Sequence, residues 1–176
     1  MSKPPRCRSK HDQELQQLPS LGVSSNTDVA RGASAGALGA AAWAAQQPID
    51  KRVFGSDYDD VELLGKLVTR RRWWPVAGLA LHIGNGALFG AAYALARPLL
   101  AGPWWARGLL AAQAENFGLW PLVRFTDRYH PARDELCRLG SNRRALAQAT
   151  WRHAIFGLVL GALTRARDRA VEHGPA

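Results

Sequence analysis

The sequence predicts an all-α fold, a membrane-embedded four-helix bundle with short amphipathic surface helices. Three observations predict it. The charged residues of this 176-residue chain are concentrated in its two ends and in two connecting segments. Four stretches between them have about the 20 residues that are needed to cross the hydrocarbon core of a bilayer. Tryptophan or arginine residues lie at the ends of three of these stretches, as is typical of membrane interfaces.

The chain divides into three parts. Residues 1–28 are polar and mixed in charge, and they predict a disordered tail. Residues 29–167 hold the four predicted spans and form the membrane domain, and residues 168–176 predict a flexible C-terminal tail. The first 28 residues lack the basic start and apolar core of a signal peptide, so we expect the internal apolar segments to direct membrane insertion.

The four predicted spans differ in apolar character. The first, Val29 to Gln47, is rich in Ala and Gly and is closed by Pro48. The second, Trp74 to Ala96, contains no Asp, Glu, Lys or Arg and is the most apolar. The third, Trp104 to Val123, is the least apolar, and the fourth, Ala145 to Thr164, is interrupted by two polar residues. The polar residues of the last two spans are Arg107, Gln113, Glu115 and Asn116, then Arg152 and His153.

The connection between the first two spans predicts a short amphipathic helix lying on the membrane surface. Ser56 and Asp57 can cap it, and the acidic run that follows suits the start of a helix. Its apolar face is followed by a basic end: Val61, Leu64, Leu67 and Val68, then Arg70, Arg71 and Arg72. Between the third and fourth spans, Pro131 can start a second short helix that Gly140 ends.

The net charge of +9 indicates an anionic partner. Because the basic residues flank apolar stretches, they favour a lipid bilayer with anionic headgroups and not nucleic acid. The two long connections hold twelve Lys and Arg residues, and the opposite side holds seven. This excess predicts that both connections lie in the cytoplasm. The preference for Arg over Lys, with abundant Ala, Gly and Trp, indicates a bacterium with a GC-rich genome, and we expect the chain in the bacterial inner membrane.

The second and fourth spans share a motif that predicts an internal repeat of two tandem helical hairpins. The second contains His82-x-x-x-Gly86-x-x-x-Gly90, and the fourth contains His153-x-x-x-Gly157-x-x-x-Gly161. The alternative is chance, since Gly and Ala are abundant. Glycines four residues apart allow helix backbones to approach closely in lipid, so we expect helix packing within one bundle, or in a homo-oligomer, at these positions. They are Gly32, Gly36, Gly86, Gly90, Gly157 and Gly161.

Three helices bring strongly polar residues to one depth in the membrane. His82, Glu115 and His153 each lie eight residues from the same side, roughly 12 Å deep at 1.5 Å per residue. Asn85 and Asn116 lie near this depth, and Gln47 and Asp50 lie nearer the membrane surface on the same side. The sequence therefore predicts a buried polar layer.

His82, Glu115 and His153 allow several interpretations. They could bind a metal ion, could relay protons, or the two histidines could ligate haem, although the sequence identifies no particular cofactor. The alternative is a hydrogen-bond network that fixes how the helices pack. The chain has no nucleophile elbow, phosphate-binding loop or dinucleotide fingerprint, and Cys7 and Cys137 form no zinc or disulfide framework. No catalytic residue is therefore predicted.

Two segments resemble the YagU-like family of small four-span bacterial inner-membrane proteins of unknown function. They are His82-Ile-Gly-Asn-Gly-Ala-Leu-Phe89-Gly90-Ala-Ala-Tyr93 and Gly36-Ala-Leu-Gly-Ala-Ala-Ala-Trp43, the latter followed by Gln47-Pro48. The resemblance implies a four-span inner-membrane protein and no particular activity. We expect a non-enzymatic structural or interaction component of a bacterial envelope. The alternatives are an intramembrane metal- or haem-binding protein, a small transporter or proton pathway, and a soluble helical protein.

Overall fold

The computed structural model describes residues 26–165. This part of the chain contains six α-helices, two short 3-10 helices and no β-strand, which confirms the all-α class. The helices are α1 (Asn26–Phe54), α2 (Asp60–Val68), α3 (Trp74–Ala96), α4 (Trp104–Leu119), α5 (Val123–Tyr129) and α6 (Arg143–Thr164), and the 3-10 helices are Arg97–Leu99 and Trp120–Leu122. The two predicted tails lie mostly outside the described residues.

Helix α1 is longer than the first predicted span. It begins at Asn26 and continues through Pro48 to Phe54, so the prediction that Pro48 closes the helix is wrong. Proline removes one backbone hydrogen bond, but side chains on both sides of Pro48 are anchored to other parts of the fold, and these contacts offset the loss. The helix ends at Phe54 and is followed by Gly55, whose φ of +56° suits glycine in a C-terminal cap.

The second connection differs from its prediction. The expected helix from Pro131 to Gly140 is absent, and turns occupy this segment. The carboxylate of Asp127 accepts hydrogen bonds from the backbone N–H groups of Leu139 and Gly140, at 2.9 and 2.7 Å, and so holds the turns against α5. The short helix of this connection is α5 instead, and it follows the 3-10 turn that starts at Trp120.

Two antiparallel hairpins form the bundle. Helix α1 packs on α3, helix α4 packs on α6, and the two pairs meet where α1 packs on α6. Helices α3 and α4 stand on the flanks and, within residues 26–165, make no extended contact with each other. Helix α2 does not lie apart on a surface, because it packs closely on the N-terminal end of α3.

Glycines form the close contacts within both hairpins. A Cβ atom on Gly36 would lie 2.0 Å from the carbonyl oxygen of Gly86, and one on Gly32 would lie 2.4 Å from that of Gly90. In the second hairpin, a Cβ on Gly157 would lie 2.5 Å from the carbonyl oxygen of Gly108. Gly161 packs in the same way against the backbone at the start of α4. The structure thus places all six predicted packing glycines at helix–helix contacts.

Among the described residues, many large apolar side chains are exposed on the bundle and few are buried inside it. Its interior is rich in Gly and Ala, whereas large apolar side chains point outward from each long helix. Leu38 on α1 is 58% exposed, Leu88 on α3 is 70% exposed, Leu110 on α4 is 64% exposed and Leu163 on α6 is 43% exposed.

One helical segment meets the length and composition of a membrane span. It runs from Trp74 to Leu99, and only 28% of its most apolar window is buried, unlike the core helix of a soluble protein. The other three predicted spans do not reach that hydropathy within the described residues. Ala and Gly lower the mean hydropathy of α1, and polar residues lower that of α4 and α6. Hydropathy alone therefore supports one span and not four.

Candidate functional site

A cavity of about 200 Å³ lies between α3 and α4 and is backed by α1 and α6. Its wall is largely aromatic and aliphatic. Its polar side chains are Asp60, His82, Asn85, Glu115, Asn116 and His153. The structure thus brings together five residues of the predicted polar layer and adds Asp60 from α2. Asn85 of α3 and Leu119 of α4 both line the cavity and are exposed, so the cavity is open on this side.

His153 and Glu115 form a pair in the cavity wall. The Nε2 atom of His153 lies 3.1 Å from a carboxylate oxygen of Glu115, and its Nδ1 lies 2.7 Å from the carbonyl oxygen of Ala149. Because that carbonyl can only accept, Nδ1 carries a hydrogen. The pair joins α4 to α6 in the cavity wall.

Trp43 contacts both histidine rings of the layer. Its indole centroid lies 5.2 Å from that of His82 and 4.6 Å from that of His153, both in edge-to-face geometry. The His82 ring is hydrogen-bonded to the backbone of Ala40, and its Nε2 is buried without a hydrogen-bond partner. The structure thus joins His153 to Glu115 and leaves His82 outside that pair.

The predicted metal site is not assembled as three converging ligands. Within residues 26–165, no group of three His, Cys, Asp or Glu side chains is arranged to hold a metal ion. The cavity is also smaller than the roughly 300–1,000 Å³ of pockets for drug-sized ligands, and a haem needs at least that room. Metal binding by His82, Glu115 and His153 stays a prediction.

Arg152 forms an ion-pair network beside the cavity. Its side chain is completely buried. Its Nε donates to Oδ2 of Asp50 and its Nη2 donates to Oδ1, each at 2.6 Å. This bidentate geometry makes arginine–carboxylate pairs strong. Its Nη1 donates to Asp60 at 2.8 Å. One guanidinium therefore connects α6 to α1 and to the start of α2.

The remaining contacts of these two carboxylates are all hydrogen-bond donors. Asp50 accepts from the amide groups of Gln46 and Gln148, each at 2.7 Å. Asp60 accepts from the indole N–H of Trp43 at 3.1 Å and from the Tyr58 hydroxyl. Burial and the Asp60 carboxylate raise the pKa of Tyr58 well above its usual value, so the phenol stays a neutral donor.

The Arg152 network was missed from the sequence, although a signal for it was present. A single arginine deep in an apolar span needs a buried carboxylate partner. The sequence places Asp50 near the polar layer and assigns the acidic run that contains Asp60 to the start of a helix. The structure places Asp50 in this network and not in the cavity wall.

Asp59, not Ser56 or Asp57, caps α2. Its carboxylate accepts from the backbone N–H of Glu62 at 2.9 Å, from Gln47 at 3.1 Å and from Lys51 at 2.5 Å. Gln47, which the sequence assigns to the polar layer, thus donates to Asp59 and does not line the cavity. Burial opposes ionisation of Asp59, but the hydrogen bonds from Lys51 and from the Glu62 backbone outweigh it and lower its pKa.

The Asp59→Asn variant should lose stability in a pH-dependent way. Asn retains the capping oxygen and removes the charge, so at pH 6 we expect a loss of about 1 kcal/mol, the scale of a partly exposed ion pair. Because the folded-state pKa of Asp59 is lowered, its contribution is present above the ordinary carboxyl pKa and is lost as the pH falls through the folded value.

Thermal unfolding of the detergent-purified chain between pH 6 and pH 3 measures this effect. The difference between wild type and Asp59→Asn should shrink as the pH falls. Asp134→Asn, which removes the same charge from an exposed side chain, is the control. A difference that stays constant over this pH range would show that Asp59 does not stabilise the fold through its charge.

A scan of protein-family models, a search of curated proteins and a search of solved structures each return no match to this chain. The resemblance to YagU-like proteins therefore stays a prediction, and the function must be inferred from the geometry of the site.

Proposed function

We propose that this chain is a four-span integral protein of a bacterial plasma membrane, in which two helical hairpins hold a small-molecule-binding cavity and carry out no catalysis. The outward orientation of large apolar side chains on α1, α3, α4 and α6 carries this proposal. In water such a surface would drive aggregation, whereas in a bilayer it contacts acyl chains of matching polarity.

The packing of the interior supports the same environment. Lipid provides no hydrophobic force between helices, so membrane bundles rely on close backbone contact and internal hydrogen bonds. Both hairpins have glycine-to-backbone contacts of this kind, and the buried Arg152 is fully paired with carboxylates. Polar side chains in membrane proteins face the bundle interior, as the cavity residues do here.

The charges at the two ends of the bundle favour one orientation. The connections that contain α2 and α5 carry the twelve basic residues counted in the sequence, and they lie at the same end of the bundle. Several are exposed there beside aromatic rings, as Arg72 is over Trp73, with 5.2 Å between the guanidinium carbon and the ring centroid. We infer that this end faces the cytoplasm and contacts anionic headgroups.

Membrane extraction and residue labelling test the proposal together. The full chain should remain in the pellet when membranes are washed with alkaline carbonate, and nonionic detergent should release it. For topology, single cysteines are placed at Ala101, between α3 and α4, and at Ser141, between α5 and α6, after both native cysteines are replaced by serine. A membrane-impermeant maleimide applied to spheroplasts should label position 101 and leave position 141 unlabelled until the cells are lysed.

The possible results have different meanings. Release of the chain by carbonate would overturn the integral-membrane proposal, and labelling of both positions from outside would overturn the four-span topology. Labelling of position 141 alone would retain the four spans and reverse the orientation.

A further inference from the structure

The buried polar network beside the cavity joins two carboxylates to one guanidinium. Arg152 pairs with both Asp50 and Asp60 and supplies a single positive charge to the two of them. Glu115, which is hydrogen-bonded to His153, adds a further carboxyl group to the cavity wall. The neighbouring Asp59 is paired separately with Lys51. Burying an unbalanced charge is costly, so the network favours any cation that can reach it.

An unsatisfied acceptor lines the same cavity. His82 is only 7% exposed, and its Nε2 has no hydrogen-bond partner. The other ring nitrogen is hydrogen-bonded to the backbone of Ala40. With that nitrogen donating to a carbonyl oxygen, Nε2 of the neutral ring has a free lone pair, which a ligand N–H group would satisfy.

The rest of the wall suits an organic cation. Of the described side chains that line the cavity, none is Lys or Arg, and the aromatic rings include Trp43, Tyr58 and Trp120. Aromatic faces attract ammonium groups, and the attraction is stronger in sites removed from water. At about 30 Å³ for each water-sized volume, the cavity has room for on the order of six non-hydrogen atoms.

We propose that the cavity binds a small organic monocation with at least one N–H group, a primary or secondary ammonium ion. The positive charge would offset the excess charge of the Asp50–Arg152–Asp60 network, the N–H group would donate to His82 Nε2, and the carbon chain would contact the aromatic wall. This inference names the ligand class of the proposed cavity and rests on that cavity. An inorganic ion is disfavoured because no set of three His, Cys, Asp or Glu ligands converges within residues 26–165.

Thermal stabilisation of the detergent-purified full chain tests the ligand class. The probes are n-butylammonium chloride and 1-butanol, which match in size and differ in charge, each titrated at pH 7 with sodium chloride added to constant ionic strength. A ligand that binds only the folded state raises the midpoint of unfolding as its concentration increases. We expect n-butylammonium to raise the midpoint, and 1-butanol and sodium chloride to leave it unchanged.

Two variants separate charge from hydrogen bonding. Asp50→Asn removes the excess negative charge without altering the cavity wall, and His82→Leu removes the acceptor. Each should weaken n-butylammonium binding by at least about tenfold, or about 1.4 kcal/mol. Asp134→Asn, which removes an exposed carboxylate, should bind as wild type does. Gel filtration shows whether Asp50→Asn still folds, and if it does not, His82→Leu alone decides.

The proposal is overturned if 1-butanol stabilises the chain as well as n-butylammonium does, if neither probe shifts the midpoint, or if the folded variants bind as wild type does. Binding of 1-butanol would retain a small-molecule cavity and reject a cationic ligand. Carbonate extraction and cysteine labelling do not depend on any ligand. They therefore test the membrane proposal independently of the ligand proposal.

Discussion

Replacing Arg152 by methionine should prevent the chain from folding stably. The substitution keeps a long side chain and removes the only positive charge that Asp50 and Asp60 share. Breaking a buried ion pair by removing one partner costs about 3–5 kcal/mol, because the other partner is left charged in a low-dielectric interior. A typical domain has only about 5–15 kcal/mol of stability, so this is a large fraction of the total.

Fluorescence-detected gel filtration after heating measures the effect in detergent extracts. Arg152→Met should give little monodisperse protein. Arg152→Lys should be intermediate, because lysine retains the charge and loses the bidentate contact. Arg144→Met is the matched control, since Arg144 is exposed on the same helix. Wild-type behaviour of Arg152→Met would show that the network does not hold the helices together.

A compensating variant distinguishes charge from packing. Adding Asp50→Asn to Arg152→Met removes part of the orphaned negative charge, so the double variant should be more stable than Arg152→Met alone. Such non-additivity is expected for residues in direct contact. If the effects of the two substitutions on stability are instead additive, the stability lost in Arg152→Met comes from the changed shape of the side chain.

Replacing Gly36 by alanine should separate the helices of the first hairpin. The new Cβ would lie 2.0 Å from the carbonyl oxygen of Gly86 and 3.0 Å from the Cα of Gly90. Both atoms belong to the backbone of α3, so no side chain can rotate away and the helices must move apart. Overpacking of this kind typically costs about 1–3 kcal/mol.

Gly84→Ala is the control for this substitution. Gly84 lies on the exposed side of α3, and a Cβ atom there would meet no atom within 4 Å. It should leave stability unchanged or raise it by up to about 1 kcal/mol, because alanine is the better helix former. The two variants add one methyl group each, and their midpoints of unfolding can be compared directly. Equal midpoints would show that the hairpin tolerates a wider spacing.

The helices that follow local rules were predictable. Helix α3 begins and ends as predicted, at Trp74 and Ala96, because a long apolar run is bounded by aromatic and basic residues. Helix α6 begins two residues before the predicted Ala145, behind the Asn142 cap. Five of the six polar residues that line the cavity also followed from helix periodicity and depth, and Asp60 did not. Such features depend on short windows of sequence.

Features set by tertiary contacts were not predictable. The pairing of Arg152 with Asp50 joins residues 102 positions apart, and nothing in either local segment specifies the partner. Continuation of α1 through Pro48 depends on the same contacts, because Asp50 lies just beyond the proline. The predicted helix in the second connection was wrong because a local signal was overridden by a contact. Pro131 suits the start of a helix, but the backbone contacts of Asp127 favour turns.

The gap between α3 and α4 determines how a molecule would reach the interior. In a bilayer this gap faces the acyl chains, because both helices carry outward apolar side chains and Asn85 and Leu119 are exposed at its edges. A ligand would therefore enter sideways from the bilayer, with its carbon chain among the acyl chains and its ammonium group near the headgroups until it reaches the gap. Occupancy would then follow concentration in the lipid phase, so amines that partition well into membranes would outcompete equally charged but more hydrophilic ones.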